Sequence, residues 1–165
     1  MGISGVLIIA SCGLIPGIIA SLFILITGIL YNRRPYKLKD RPWWSLLANV
    51  SMGLLAFSLG WTARNILSQM LLIESIPYVL FNSALYLYTL LPDVPGDRIT
   101  GKKTLAVLYG HEKLMLAAFF SIAFGLVSIF WLQDMTALIF YMLTMPLFIK
   151  GMYIMEIPVA VQTTK

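Results

Sequence analysis

The chain of 165 residues is 59% hydrophobic and only 12% charged, with a net charge of +5 and a mean hydropathy of +0.87. Soluble domains carry about a quarter charged residues, so this composition excludes an ordinary soluble enzyme or a nucleic-acid-binding domain and predicts an integral membrane protein. The single cysteine excludes an internal disulfide.

Five apolar stretches are candidates to cross a bilayer, which takes about 20 residues of helix. They cover residues 16–31, 43–61, 70–91, 113–132 and 135–155. The dozen apolar residues before the first stretch are too few to cross, and Gly13, Pro16 and Gly17 indicate a turn between the two. The runs lack the alternation of barrel strands. The sequence therefore predicts an all-α fold, a single polytopic transmembrane helix bundle over residues 1–165 with about five full spans and a partial amino-terminal helix.

Basic residues alternate between the two ends of these spans. Segments 31–42 and 97–113 hold five and four Lys or Arg residues, whereas the connections at the opposite end hold only Arg64. Cytoplasmic loops of membrane proteins carry such an excess of Lys and Arg. We therefore expect loops 31–42 and 97–113 to face the cytoplasm, in a multi-pass protein of the cell membrane.

The segment PDVPGDRITGKKT, residues 92–104, concentrates charge where the third predicted span ends. Asp93 and Asp97 are four residues apart, so in a helical backbone both carboxylates project from one face. Proteins hold Mg²⁺ by one or two carboxylates together with substrate phosphate oxygens, and Lys and Arg suit the phosphates themselves. The alternative interpretation is a solvated, charge-balanced loop that caps a helix and satisfies the orientation rule.

Two motifs carry a family resemblance. The run DVPGDRITGKKTLAVLYG resembles the second aspartate-rich motif of the UbiA-type intramembrane prenyltransferases, often written DxxGDxxxGxxTLxxxxG. The run YNRRPYKLKDRPWWSLLANVSMG resembles that family's segment YSxPPLxLKxRP, which is followed by a helix with Asn and Gly. The residues in register with this segment are Tyr31, Pro35, Lys37, Leu38, Lys39, Arg41 and Pro42. One span out and one span back separate the motifs, as in the family, so the resemblance covers essentially the whole chain.

The resemblance implies a helical bundle whose cavity opens to the cytoplasmic side and laterally to lipid. It implies transfer of a polyprenyl group from its diphosphate to an aromatic or lipid acceptor in the bilayer. It also implies Mg²⁺ bound by Asp93 and Asp97, which would be catalytic together with Tyr31 at the reaction centre. The substrate-binding residues that it implies are Lys37, Lys39, Asn49, Arg98, Lys102 and Lys103.

The sequence departs from the family in one respect. The family has another aspartate-rich motif, of the NDxxD type, in an earlier helix, whereas the first acidic residue here is Asp40. Since the family usually has eight or nine spans, we expect the carboxy-terminal portion of such a domain, with three alternatives open: a truncated gene product, a fragment of a longer chain, or one half of a split enzyme whose partner is the missing amino-terminal half. Whether this chain alone is an enzyme stays open.

Two other classes of function are compatible with the same residues. One is a non-catalytic membrane protein that binds prenyl lipid or serves as a subunit of a split enzyme. The other is a transporter or channel, which is less favoured because the charges lie at the span ends rather than at mid-membrane.

Overall fold

The computed structural model describes residues 5, 9, 11, 13–63, 65–146 and 149. Within these ranges the chain forms helices and turns without a strand, which confirms the all-α prediction for the described part. The helices are α1 (Leu14–Ile24), α2 (Pro42–Thr62), α3 (Met70–Glu74), α4 (Ile76–Thr89), α5 (Val94–Ile99), α6 (Leu105–Tyr109), α7 (His111–Leu132) and α8 (Met135–Pro146). Arg64 and most of the predicted span beyond residue 146 lie outside the described residues.

The chain divides into two compact units, Met1–Gly125 and Leu126–Lys165, and α7 continues through the boundary between them. In the first unit, α2 packs against α1 and against α4. The buried residues of α2 are the small Ser45, Ala48 and Ser58. Small side chains let helix backbones approach closely. Because α2 packs against both α1 and α4, it is the central helix of this unit.

Two helices, α2 and α7, are long and apolar enough to cross a membrane, and they coincide with the predicted spans 43–61 and 113–132. The apolar helices Leu14–Leu30 and Met135–Pro146 are shorter. The predicted span 70–91 is interrupted, because α3 ends before Ser75 and α4 begins after it. Pro77, in the first turn of α4, has no N–H to continue the hydrogen-bond ladder from α3. The count of five spans therefore stays a prediction.

Large apolar side chains cover the outer surface of α7. Phe119, Phe120, Phe124, Val127 and Trp131 are between 49% and 77% exposed and lie close to a helical spacing of three to four residues. A contiguous apolar surface of this kind is typical of contact with lipid or with another protein. It is consistent with a helix that lies in a membrane.

In the second unit, a turn connects the end of α7 to α8. Gln133 adopts a left-handed backbone with φ of 56°, and Asp134 follows as the residue before α8. The Asp134 carboxylate accepts a hydrogen bond from the backbone N–H of Ala137 at 2.9 Å, which satisfies a free donor at the helix start. Ile129, Ala137 and Tyr141 are the most deeply buried side chains of this unit.

A buried hydrogen bond joins α4 to α2. The Tyr86 hydroxyl donates to Ser45 Oγ at 2.6 Å, and Ser45 Oγ donates to the Pro42 carbonyl at 2.7 Å. We expect Tyr86→Phe to lower the free energy of unfolding by about 1 kcal/mol, because one buried hydrogen bond is lost while the ring remains. Thermal unfolding in detergent measures this effect, with Tyr36→Phe in an exposed loop as the control. An unchanged melting temperature for Tyr86→Phe would contradict the expected contribution.

Candidate functional site

Helix α1 widens into a π-helix, Leu25–Leu30, before the first basic loop. The backbone N–H of Tyr31 donates to the Ile26 carbonyl five residues back, at 2.9 Å. Such π-helical turns change the direction of the residues that follow and are frequent at functional sites. The side chain of Asn49 on α2 lies near the hydroxyl of Tyr31 and acts to lower the pKa of Tyr31. The structure thus brings together two residues that the sequence assigned to the site from separate positions.

The Tyr31 phenol is protonated at neutral pH. Burial raises the pKa of Tyr31 above its usual 10.0, and this effect outweighs the interaction with Asn49, which lowers the pKa. The negative charge of Asp40 also raises the pKa of Tyr31. Tyr31 can therefore offer a hydroxyl to a substrate but is not a phenolate base at neutral pH.

A residue of helix α4 forms a hydrogen bond with Asn49. The side-chain amide of Asn82 donates to the backbone carbonyl of Asn49 at 2.9 Å. Gly53 lies one turn further along α2 and has no side chain to obstruct Asn82, whose Nδ2 would lie only 3.0 Å from an added Cβ. Asn49 and Asn82 therefore join α2 to α4, with Tyr31 close to Asn49.

The first basic loop is fixed by an ion pair. Lys37 Nζ lies 2.9 Å from Asp40 Oδ2, and both side chains are about one third exposed. The backbone of Lys37 is left-handed, with φ of 39°, a conformation that costs a non-glycine residue about 1 kcal/mol or more. Backbone strain of this kind is typical of functional loops. Asp40 was not among the predicted site residues, although an acidic residue among basic neighbours is a signal for an ion pair in this loop.

The aspartate-rich segment forms the short helix α5, preceded by Asp93. Pro95 lies in the first turn, where a missing N–H breaks no helical bond. The Asp97 N–H donates to the Asp93 carbonyl at 2.8 Å, so the two residues are one helical turn apart, as their spacing predicted. Asp93 is exposed and Asp97 is buried.

After α5 the chain turns back, so that Lys102 contacts Asp97. Gly101, with φ of 69°, supplies the left-handed turn, and the Lys102 N–H donates to the Asp97 carbonyl at 2.9 Å. Lys102 Nζ then donates to Asp97 Oδ1 at 3.0 Å. The hydrogen bond and charge of Asp97 raise the pKa of Lys102 above its usual 10.5, and the charges of Asp40 and Asp93 act in the same direction. Lys102 is therefore a cation throughout the neutral range.

A ring contact joins the two motifs in the first unit. The rings of Trp43, at the start of α2, and Tyr109, at the end of α6, meet edge to face with centroids 5.9 Å apart. The negative charge of Asp40 in the first loop also contributes to the raised pKa of Lys102 in the second. The sequence motifs are thus spatial neighbours, whereas the membrane side that they face stays a prediction.

The other predicted substrate-binding residues are exposed and make few contacts that would fix their side chains. Lys39 Nζ donates to Asn32 Oδ1 at 3.4 Å in an exposed part of the first loop. Arg98 and Lys103 are exposed, and neither forms an ion pair within the part of the chain that the structure describes. Their roles remain predictions from the resemblance.

The acidic residues partly fit the metal implied by the motif. Among the residues described, no group of three or more His, Cys, Asp or Glu side chains is arranged to hold a metal ion. Asp93 and Asp97 nevertheless fit Mg²⁺, which commonly takes one or two carboxylates and completes its shell with water and phosphate oxygens. The pair can contribute part of a metal site that the substrate completes.

Comparisons with known proteins identify related sequences. The model of the UbiA prenyltransferase family matches residues 1–159. A curated relative, 1,4-dihydroxy-2-naphthoate octaprenyltransferase of Bacillus subtilis (strain 168), is 31% identical over 103 residues, which are 59% of this chain and 32% of the relative. The match thus spans about a third of the length of that relative. No solved structure matches the chain.

Proposed function

Because the chain belongs to the UbiA prenyltransferase family, whose members are integral membrane proteins, we propose that it acts in the transfer of a polyprenyl group from its diphosphate to an aromatic acceptor within the membrane. The observation that carries this proposal is that the two motifs are neighbours in the first unit, where the rings of Trp43 and Tyr109 are in contact and Lys102 pairs with Asp97. Carboxylates, lysines and a protonated tyrosine lie there beside an apolar helix bundle. This combination suits a lipid with a diphosphate head group.

In the proposed reaction, the bond between the prenyl carbon and the diphosphate oxygen breaks, and its electron pair leaves with the diphosphate. An acceptor ring carbon attacks the allylic cation and then loses its proton to water. Lys37 and Lys102 would bind diphosphate oxygens, and Tyr31 would donate a hydrogen bond at the reaction centre. Mg²⁺, held by Asp93 and Asp97, would neutralise the charge of the departing diphosphate.

The relative suggests which substrates to test first. Its name specifies an octaprenyl group and 1,4-dihydroxy-2-naphthoate. We propose the same classes here, an isoprenoid diphosphate and a hydroxylated aromatic acid. We also propose that Asp93 and Asp97 are one of two aspartate pairs required, the other being of the NDxxD type.

The experiment is a transfer assay in lipid nanodiscs with Mg²⁺, prenyl diphosphates of several lengths and the dihydroxynaphthoate. It is run with the chain alone and with a candidate polypeptide that carries an NDxxD motif. Prenylated product, identified by mass spectrometry together with released diphosphate, would support the proposal. Absence of diphosphate release with every donor and with the partner would contradict an enzymatic role.

A non-catalytic function is the second candidate, and one observation favours it. Among the described residues no group of three metal-ligating side chains is present, so Asp93 and Asp97 supply only part of a metal site in that part of the chain. Saturable binding of a prenyl diphosphate without turnover, even with the partner present, would identify a binding protein or a subunit without catalytic activity.

A further inference from the structure

Lys102 forms an ion pair with Asp97, the buried carboxylate of the proposed metal site. Its ammonium donates to Asp97 Oδ1 at 3.0 Å, and the side chains of Asp97 and Lys102 are 9% and 43% exposed, respectively. The carboxylate therefore has little access to water, while the lysine retains a route to the surface. Asp93 and Asp40 add their charges around the same ammonium.

The two members of this ion pair have different partners in the proposed reaction. Asp97 would bind Mg²⁺, and Lys102 would bind diphosphate. A lysine ammonium and a divalent cation cannot share one carboxylate oxygen without strong repulsion between them. Mg²⁺ on Asp97 would lie close to the ammonium at Oδ1, and the repulsion between the two cations favours opening of the pair.

We propose that Lys102 is a positioning residue that occupies Asp97 while no metal is bound and moves to the diphosphate when Mg²⁺ takes its place. The inference rests on the proposed function and deepens it. Metal binding then releases a cation for the diphosphate, and diphosphate binding releases a carboxylate for the metal. By linkage, each ligand raises the affinity of the other by the same factor.

The neighbouring lysine offers a matched control. Lys103 is exposed and makes no ion pair within the described ranges of the chain. Removing the charge of Lys103 changes the electrostatic potential around the loop but leaves the ion pair between Lys102 and Asp97 intact. Lys102→Arg supplies the second comparison, because it retains a cation that can pair with the carboxylate.

The test measures binding of Mn²⁺, as a spectroscopic probe for Mg²⁺, to the full chain in detergent without diphosphate. Electron paramagnetic resonance reports the free Mn²⁺ concentration. We expect Lys102→Gln to bind Mn²⁺ about tenfold more tightly than the unaltered chain, the size of a typical coupling between two sites. Lys103→Gln should change the affinity by less than about twofold, since screened surface charges interact weakly. Lys102→Arg should remain close to the unaltered chain.

Equal or weaker Mn²⁺ binding by Lys102→Gln would overturn the inference and leave the proposed transfer reaction standing. Failure of every variant to bind Mn²⁺, together with no transfer activity, would contradict both. A second measurement needs no substitution. Acylation of lysines, followed by mass spectrometry, should show faster labelling of Lys102 when Mg²⁺ is added, with Lys103 unchanged. Slower or unchanged labelling of Lys102 would count against its release.

Discussion

Asp97→Asn should lower the rate of prenyl transfer by at least about 100-fold, the loss expected when one group that stabilises transition-state charge is removed. The substitution keeps the shape of the side chain and removes the negative charge proposed to hold Mg²⁺. The ammonium of Lys102, whose side chain is 43% exposed, can then be solvated by water, so we expect the variant to remain folded. Initial rates of product formation and the melting temperature of the same sample measure the two effects separately.

The control for this prediction is Glu112→Gln. Glu112 is exposed in the first turn of α7 and has no role in the proposed site, so the variant loses one negative charge without loss of transfer. Asp93→Asn should resemble Asp97→Asn. Full activity in Asp97→Asn would remove this residue from the metal site, whatever the result for Asp93→Asn.

Gly53→Val should lower the free energy of unfolding by about 3 kcal/mol. An added Cβ at residue 53 would lie 3.0 Å from Asn82 Nδ2 and 3.3 Å from Asn82 Cβ. Asn82 must then move and give up its hydrogen bond to the Asn49 carbonyl, so overpacking is added to the loss of a partly buried hydrogen bond. Thermal unfolding in detergent provides the measurement.

Gly60→Val is the matched control for this substitution. Gly60 lies on the same helix, and an added Cβ there meets no atom within 4 Å. Both variants gain the same side chain in a helix, so the difference between their melting temperatures isolates the contact with Asn82. Equal melting temperatures would show that Asn82 can move at no cost.

The sequence predicted the features of the fold that depend on local composition. Helices α2 and α7 followed from apolar runs of spanning length, and the turn of helix between Asp93 and Asp97 followed from their spacing. The interruption at Ser75 was not predicted, because a hydropathy pattern does not show that Pro77 lacks a backbone N–H. An apolar run therefore predicted one span where the backbone forms two helices.

Prediction of the site was limited in the same way. Tyr31, Asn49, Asp93 and Asp97 could be proposed as site residues because they belong to recognisable motifs, and their roles stay predictions. The Tyr86–Ser45 hydrogen bond joins residues 41 positions apart, so it depends on packing that no local pattern encodes. The pairing of Lys102 with Asp97 was also hidden, because a motif identifies which residues bind ligands but not how they interact before a ligand arrives.

The hydrogen bonds from α4 to α2 have a consequence for the order in which the site is assembled. Asn82 and Tyr86 lie on α4, yet their partners Asn49 and Ser45 belong to α2, which leaves the ribosome earlier. Until α4 has packed against α2, the polar groups of α2 lack these partners and must find others, such as water. Asn49 is synthesised before α4 but gains its final hydrogen bond only when Asn82 has packed against it.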